Sequence, residues 1–530
     1  MSFPTKSYTA AAPTMLPRTS LNRWIAVALF ISLVFYFHPG FTRTPVITQS
    51  TDHTPPAADQ RQNTSATEAL SPIPPAVAVD DLTWVKEVLE KNSIGPEVTY
   101  ASRTIRYIPD AKERSPITEV DHDLIPQGFK EINIKKVSKL PAIGPIEVHL
   151  KKSMRPDDVD GSDLIFGAST TFERFMANIT SPIAEWKRWF TDGQGHSNGA
   201  GLVLTLFNTT QEEIDNAHKQ LTDVGISATV VASDSSLDMA GRYVALIKLL
   251  YEHPTRDSRK YFALIDDDTF FPCLNELRRV LARYNPAKPY YIGTFTERAE
   301  WLLDHKVAFA YGGGGIFLTA PVAKQLSELP CLEKTEEGRY VLDSDQGDRL
   351  LYNCLVGYTE VRLTYLPLLH QEDQWGDQSG FYESGRQPLS LHHYKSWHWF
   401  NVEKMHYVAD ACGEDCVLQR FQFKDNYIIS NGYSVANYPK GIDFDPLLME
   451  GTFDSREDIH EVSLSYSFGA MRPNLSRTGR KMSWELLSAR REGDGKVRQI
   501  YVKHRSDSRW VVEGEKGPKD DSILVLEWVP

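Results

Sequence analysis

The chain has 530 residues, an ordinary globular mix of 41% hydrophobic and 24% charged residues, and a net charge of -12. That length accommodates roughly two or three domains with sizeable cores, and the acidic balance argues against a general affinity for nucleic acid. A wholly disordered chain is excluded by the apolar content.

The first element is the apolar run Trp24–Phe37, extended loosely to Phe41. It is short for a spanning helix and fits either a signal-peptide core or an anchor suited to a thin membrane. Two features favour the anchor. No small-x-small cleavage site follows, because His38-Pro39-Gly40-Phe41 is bulky and proline-bearing, and aromatic residues flank both ends. Lys6, Arg18 and Arg23 precede the run and Arg43 stands alone behind it, so the positive-inside rule predicts a cytosolic tail over 1–22, a signal anchor over 23–41 and a lumenal remainder. Residues 42–80, rich in Thr, Pro, Ala and Ser, cannot bury enough surface to fold and read as a stem. This is the layout of a single-pass type II protein of the Golgi or ER membrane. Sequons at Asn63, Asn178, Asn208 and Asn474 agree with a lumenal path, although such triplets also arise by chance. Of five cysteines, Cys331 and Cys354 bracket an acidic loop and Cys412 and Cys416 lie close together. Two disulfides with Cys273 left over is the expected count in an oxidising compartment, buried free thiols being the alternative.

Residues 81–160 mix a helical Trp84–Lys91 with strands at Val98–Ile108 and Ile146–Leu150, and read as an ordered extension packed on the next domain. From there a regular alternation begins: strand Leu164–Phe166, helical Phe172–Phe190, strands Gly201–Phe207 and Ile226–Ala232, helical Leu237–Tyr251, strand Tyr261–Ile265 and helical Leu274–Tyr284. Such alternation predicts, over 161–400, an α/β domain with a mainly parallel sheet covered by helices on both faces. Over 401–530 the texture changes to short strand-like runs, Cys416–Phe423, Val462–Phe468, Gln499–Lys503 and Ile523–Trp528. Turn clusters separate them, which predicts a β-rich appendage.

The apolar run Tyr261–Ile265 ends in Asp266, Asp267 and Asp268. A buried strand therefore delivers three consecutive carboxylates to its C-terminal end, where open α/β sheets bind ligands. The acids repel one another unless a hard cation neutralises them, and oxygen ligands suit Mg²⁺ or Mn²⁺ better than Zn²⁺. Farther on, Gly312–Gly315 precede an apolar run without the Gly-Lys-Ser/Thr of a nucleotide-binding P-loop. They read either as a turn or, at Gly313 and Gly314, as backbone that a ligand can approach closely. Trp375 and Asp377 lie in an aromatic and acidic loop whose chemistry suits sugar stacking and hydroxyl recognition, with packing of the loop against the domain as the alternative.

Six motifs follow in order: Asp266-Asp-Asp-Thr269, Tyr290-Tyr-Ile-Gly-Thr-Phe-Thr-Glu297, Ala310-Tyr-Gly-Gly-Gly-Gly315, Asp348-Arg-Leu-Leu-Tyr-Asn-Cys354, His370-Gln-Glu-Asp-Gln-Trp-Gly-Asp377 and Ser390-Leu-His-His393. Through them the sequence resembles the Fringe-like β-1,3-glycosyltransferases, the group of Fringe and core-1 galactosyltransferase, and most closely its Fringe-related branch. The resemblance implies a GT-A fold, a UDP-sugar donor, a Mn²⁺-type ion, a glycan or glycoconjugate acceptor and transfer with inversion. It implies Asp268 as the direct metal ligand, with Asp266 and Asp267 positioning the ribose or metal-bound water, and His392 as the third metal contact, with His393 as its alternative. Thr170, Thr171 and Arg174 sit where the family's first strand meets the uridine. Counting back from Cys354 gives Asp348 as the base, Asp345 and Asp343 being rivals because this loop is longer than usual. Thr296 replaces the usual serine. A phosphatase of the haloacid dehalogenase kind is disfavoured, because the threonine follows Asp268 directly, one position early. A non-catalytic sugar- or nucleotide-sugar-binding protein of the secretory pathway is the serious rival, since a fold outlives the loss of one catalytic residue.

Overall fold

The computed structural model describes residues 80–453 and 459–530. The expected cytosolic tail, anchor and stem, with Asn63, lie outside the described residues except for Asp80. Among the described residues no helix is long and apolar enough to cross a membrane.

The chain opens with helix Asp81–Lys91 and strands β1 (Glu97–Asp110), β2 (Ile117–Val120), β3 (Lys130–Asn133) and β4 (Ile143–Lys151). The central region supplies β5 (Leu164–Thr171), β6 (Gly201–Phe207), β7 (Ala228–Ala232), β8 (Tyr261–Leu264), β9 (Tyr291–Gly293), β10 (Ile316–Thr319) and β11 (Leu363–Tyr365). Then follow β12 (Arg420–Phe423), β13 (Tyr427–Ser430), β14 (Ser434–Asn437), β15 (Met449–Glu450), β16 (Met471–Arg472), β17 (Met482–Arg491), β18 (Val497–Lys503) and β19 (Asp521–Val529).

Strands β5 to β11 form a seven-stranded sheet in the order β11-β9-β10-β8-β5-β6-β7. β5, β6, β7 and β8 run parallel, and β10 alone is antiparallel to both its neighbours. This is the mixed α/β arrangement expected, and it fits the GT-A type. β8 lies inside the sheet between β5 and β10, and its four residues are all buried. A hydrophobic four-residue strand with no exposed face survives only there.

The helical run expected over Phe172–Phe190 is two helices, Phe172–Met176 and Ile183–Phe190. Pro182 caps the second and biases Ser181 away from helix, which separates them. Between β6 and β7 lies helix Gln211–Asp223, whose capping box pairs Thr210 with Glu213. The Thr-x-x-Glu signature was present in the sequence but is absent from the expected alternation. The strand expected at Val462–Phe468 is instead part of helix Ile459–Phe468. Its apolar residues alternate in sequence, but Leu464 and Phe468, four apart, share a buried face while Tyr466 is 70% exposed. Helical spacing therefore satisfies the core better than strand spacing.

The extension and the C-terminal region share one ten-stranded sheet, in the order β2-β12-β13-β14-β17-β18-β19-β1-β3, with β4 on β1. β1 runs parallel to β19 from Val98 opposite Asp521 to Arg106 opposite Val529. One buried cluster contains Ile105 and Trp528 from this sheet and Phe166 and Phe317 from the other. Polar struts reinforce it. Arg188 of helix Ile183–Phe190 reaches Asp410 Oδ1 at 2.6 Å, and buried Lys481 sits between Glu383 at 2.5 Å and Glu450 at 2.8 Å.

Both expected disulfides are present, Cys331–Cys354 and Cys412–Cys416, and Cys273 is a buried free thiol. Asn178, Asn208 and Asn474 are all exposed.

Two stability outcomes follow from these struts. Lys481→Met takes the cation from buried Glu383, while Glu450 keeps Arg472 at 2.8 Å, and lowers the unfolding free energy by about 3 kcal/mol in urea titration. The Cys331→Ser/Cys354→Ser pair opens a 23-residue loop and costs roughly 3 kcal/mol in the same measurement.

Candidate active site

Beyond β8 the backbone leaves the sheet, and the three acids diverge. Asp266 N–H donates to Thr269 Oγ1 at 3.1 Å, and that hydroxyl donates to Gly313 O at 3.1 Å, so the acid turn is tied to the glycine turn.

Asp267 is buried and accepts two hydrogen bonds from Arg174, Nε at 2.6 Å and a terminal nitrogen at 2.8 Å, plus one from Thr170 Oγ1 at 2.6 Å. The bidentate grip keeps the Arg174 guanidinium firmly charged. Thr171 caps the helix that carries Arg174, accepting from Arg174 N at 3.2 Å. The three residues expected at the uridine are thus engaged in the structure with the acid run and its adjoining helix.

Asp268 faces His392: its Oδ1 lies 3.0 Å from His392 Nε2, while Asp266 Oδ2 lies 3.4 Å from the same nitrogen. Burial opposes charge on Asp268, but His392 outweighs it and holds the carboxyl well below the usual range. Burial likewise opposes charge on His392, and the carboxylates of Asp268 and Asp266 raise it well above its usual value. The other ring nitrogen, Nδ1, lies 3.0 Å from the carbonyl of Gln371. A backbone acceptor there fixes the tautomer with Nε2 turned to the carboxylates, the orientation a metal-ligating histidine needs.

Asp268, His392 and His393 offer ligand atoms that lie within 4.8 Å of one another. His393 is the more occupied: Nε2 lies 3.3 Å from Asp373 Oδ1, Nδ1 lies 3.4 Å from Ser396 Oγ, and the ring stacks on Trp397 at 4.1 Å. Burial and the neighbouring His392 push its basicity well down. The residues fit a divalent cation: Asp268 and His392 face each other, Asp266 stands 3.4 Å from the same imidazole nitrogen, and His393 completes the convergent group while holding other partners. Carboxylate oxygens with one imidazole suit Mn²⁺.

The glycines are a steric requirement. A Cβ on Gly313 would stand 2.3 Å from His392, one on Gly312 2.3 Å from Tyr243 Oη, and one on Gly314 2.5 Å from Thr294. Gly314 N–H donates to Gln371 Oε1 at 2.9 Å, and its carbonyl accepts from Ser390 Oγ at 2.8 Å.

Asp348 lies in the first turn of helix Gly347–Tyr358, beside Tyr243 and the Gly312 N–H. Burial and the charge of Asp266 push its carboxyl up to about 7. Asp343 and Asp345 are exposed. Trp375 stands 5.3 Å from Trp397 with the Arg298 guanidinium 4.3 Å over its ring, which brings it beside the histidines. Asp377 instead pairs with Arg509 at 3.2 Å and caps Ser379 N at 2.8 Å, a tie to the C-terminal region.

Residues 202–411 match the family model described as Fringe-like. The matched stretch carries every motif from Asp266 to His393, whereas Thr170, Thr171 and Arg174 fall outside it. No curated protein matches the chain. A crystal structure of mouse xyloside xylosyltransferase 1 in its apo form is similar at 11% identity over 31% of this chain and 68% of that one, with a TM-score of 0.19 that is too low to support any argument.

Three residues the sequence reading left without a role stand at this site. Tyr243 fills the space between Gly312 and Gly347. Gln371 and Glu297 were only letters in a motif: the Gln371 carbonyl meets His392 Nδ1, and the Glu297 carboxylate accepts from the backbone of Gln371 and Asp373.

A cation must displace the proton held on His392 Nε2. Mn²⁺ affinity of the fragment beginning at Asp80 therefore rises with pH until that proton is lost, and calorimetry in buffers of different ionisation enthalpy shows proton release on binding. Gly313→Ala, which drives a methyl group into His392, weakens Mn²⁺ roughly 10- to 100-fold, read by the same titration.

Proposed function

We propose that the protein is a metal-dependent inverting glycosyltransferase that moves a hexose or N-acetylhexosamine from a UDP-sugar to a hydroxyl of a glycan or glycoconjugate, forming a β-1,3 linkage. The observation that carries it is the convergence of Asp268, Asp266 and His392 with the partly buried Asp348 across the glycine turn. The Fringe-like match over this stretch supports the reading. The anchor and stem read from the sequence support a Golgi or ER membrane location with the catalytic domain in the lumen.

When bound, a Mn²⁺ or Mg²⁺ ion held by Asp268, Asp266 and His392 neutralises the charge that collects on the leaving diphosphate. The chain's residues do the rest. Asp348 accepts the proton of the acceptor hydroxyl as its oxygen attacks the anomeric carbon, and the bond to the diphosphate breaks on the opposite face. The proton ends on the Asp348 carboxylate and UDP leaves. A single displacement inverts the anomeric carbon without a covalent intermediate. A carboxyl near 7 is matched to this task, since it is both available and basic enough near neutrality.

The test is Mn²⁺-dependent UDP release by the lumenal fragment across a panel of UDP-sugars with glycan acceptors. We expect turnover with one donor, lost in Asp268→Ala. Asp348→Asn retains Mn²⁺ binding and loses about 10²- to 10⁴-fold in kcat, while Asp345→Asn stays near wild type. The rate climbs with pH as Asp348 deprotonates and then levels. UDP binding without turnover under all these conditions would favour the non-catalytic sugar-nucleotide-binding reading instead.

A further inference from the structure

Glu297 is 4% exposed and lies at the heart of the loop that carries the site's second half. Its Oε1 accepts from Gln371 N at 2.9 Å, its Oε2 accepts from Asp373 N at 3.1 Å, and His370 Nδ1 lies 3.5 Å away. Between the two amides, Glu372 adopts a left-handed φ of 57°. A left-handed residue at this point curls the backbone so that flanking N–H groups face one anion, the nest geometry. A non-glycine residue keeps that conformation only where its surroundings over-determine it, and here the carboxylate of Glu297 does so.

Both imidazoles depend on the residues thus clamped. The Gln371 carbonyl orients His392 through Nδ1 at 3.0 Å, and the Asp373 carboxylate lies 3.3 Å from His393 Nε2. The Gln371 side chain also receives Gly314 N–H, locking the glycine turn against the same loop. From outside, Ser467 of helix Ile459–Phe468 donates to the Glu297 carbonyl at 2.8 Å, and the Phe468 ring stands 6.3 Å from His370.

We propose that Glu297 is the positioning residue of the metal site: through the nest at Gln371–Asp373 it sets the direction of both histidines, and it passes the support of the C-terminal region to the cation ligands. The inference rests on the metal-site reading given above.

The experiment uses Mn²⁺ alone, without sugar nucleotide. Mn²⁺ affinity is measured by electron paramagnetic resonance on the folded lumenal fragment, and the ¹⁴N echo modulation of an imidazole ligand is recorded. In Glu297→Gln the amide offers one acceptor where two N–H groups wait, so affinity falls roughly 10- to 100-fold and the ¹⁴N modulation weakens. Glu297→Asp, charged but a methylene short, falls in the same direction and serves if the glutamine variant does not fold. Lys481→Met, destabilised at a distance, keeps wild-type Mn²⁺ affinity and modulation per folded molecule, which separates positioning from stability. Wild-type affinity and modulation in both Glu297 variants would overturn the proposal. Absence of Mn²⁺ binding or of ¹⁴N modulation in the unmodified fragment would overturn the metal-site reading itself.

Discussion

Three carboxylates at the end of one buried strand are the constraint around which the site is organised. Each pair repels, and burial removes the water that would screen them. The structure answers each acid differently. Asp267 receives a bidentate arginine and a threonine hydroxyl, Asp268 receives His392, and Asp266 keeps a side chain 41% exposed. The first answer is permanent. The second is a proton on Nε2, which a cation can replace. A run of like charges thereby separates into a fixed strut and an exchangeable centre, and the separation requires the glycine turn, since a single added methyl group at Gly313 would occupy the place of the imidazole.

The histidine that answers Asp268 comes from far along the chain, and its placement is a problem of support. Leu391 pairs by an isolated bridge with Phe270, which brings the histidines over the acid turn. The loop beneath them is held by Glu297 on one side and by the C-terminal region on the other. Thr452 Oγ1 donates to the Asp377 carbonyl at 2.6 Å, and Arg509 binds the Asp377 carboxylate. Within the described residues, the ten-stranded sheet therefore acts on the site as a buttress. The same contacts explain why Asp377, with chemistry suited to sugar hydroxyls, is engaged in a structural ion pair.

What the sequence disclosed follows from how local each signal is. The β8 acids, the glycine turn, the strands flanking them and both cysteine pairs are set by neighbours in the chain, and they stand where the patterning placed them. The cores of β1, β4, β18 and β19 were legible for the same reason, as continuous or alternating apolar runs. Their assembly into one sheet was not, because the pairing of Val98 with Asp521 joins residues at opposite ends of the described chain. Helix Ile459–Phe468 was misread because an apolar alternation is compatible with either period until the partner surface is known. Glu297 and Gln371 had no signal of their own. A buried carboxylate that binds backbone amides depends on the φ of a residue it does not adjoin, and sequence patterns do not record backbone conformation.

On the proposed reading, the base and the cation site are joined by the same charge. Asp266 lies close enough to Asp348 to help raise its carboxyl to about 7, while also facing His392 Nε2. Whatever neutralises Asp266 removes part of the repulsion that keeps a proton on Asp348, so the base ionises more readily when the site is loaded and holds its proton when it is not. By linkage the effect is reciprocal: an ionised Asp348 adds negative charge near the ligands and favours the cation. Tyr243, wedged between Gly312 and Gly347, fills the space beside the two carboxyls. On the proposed reading, the fold ties proton abstraction to occupancy of the metal site through one half-exposed aspartate.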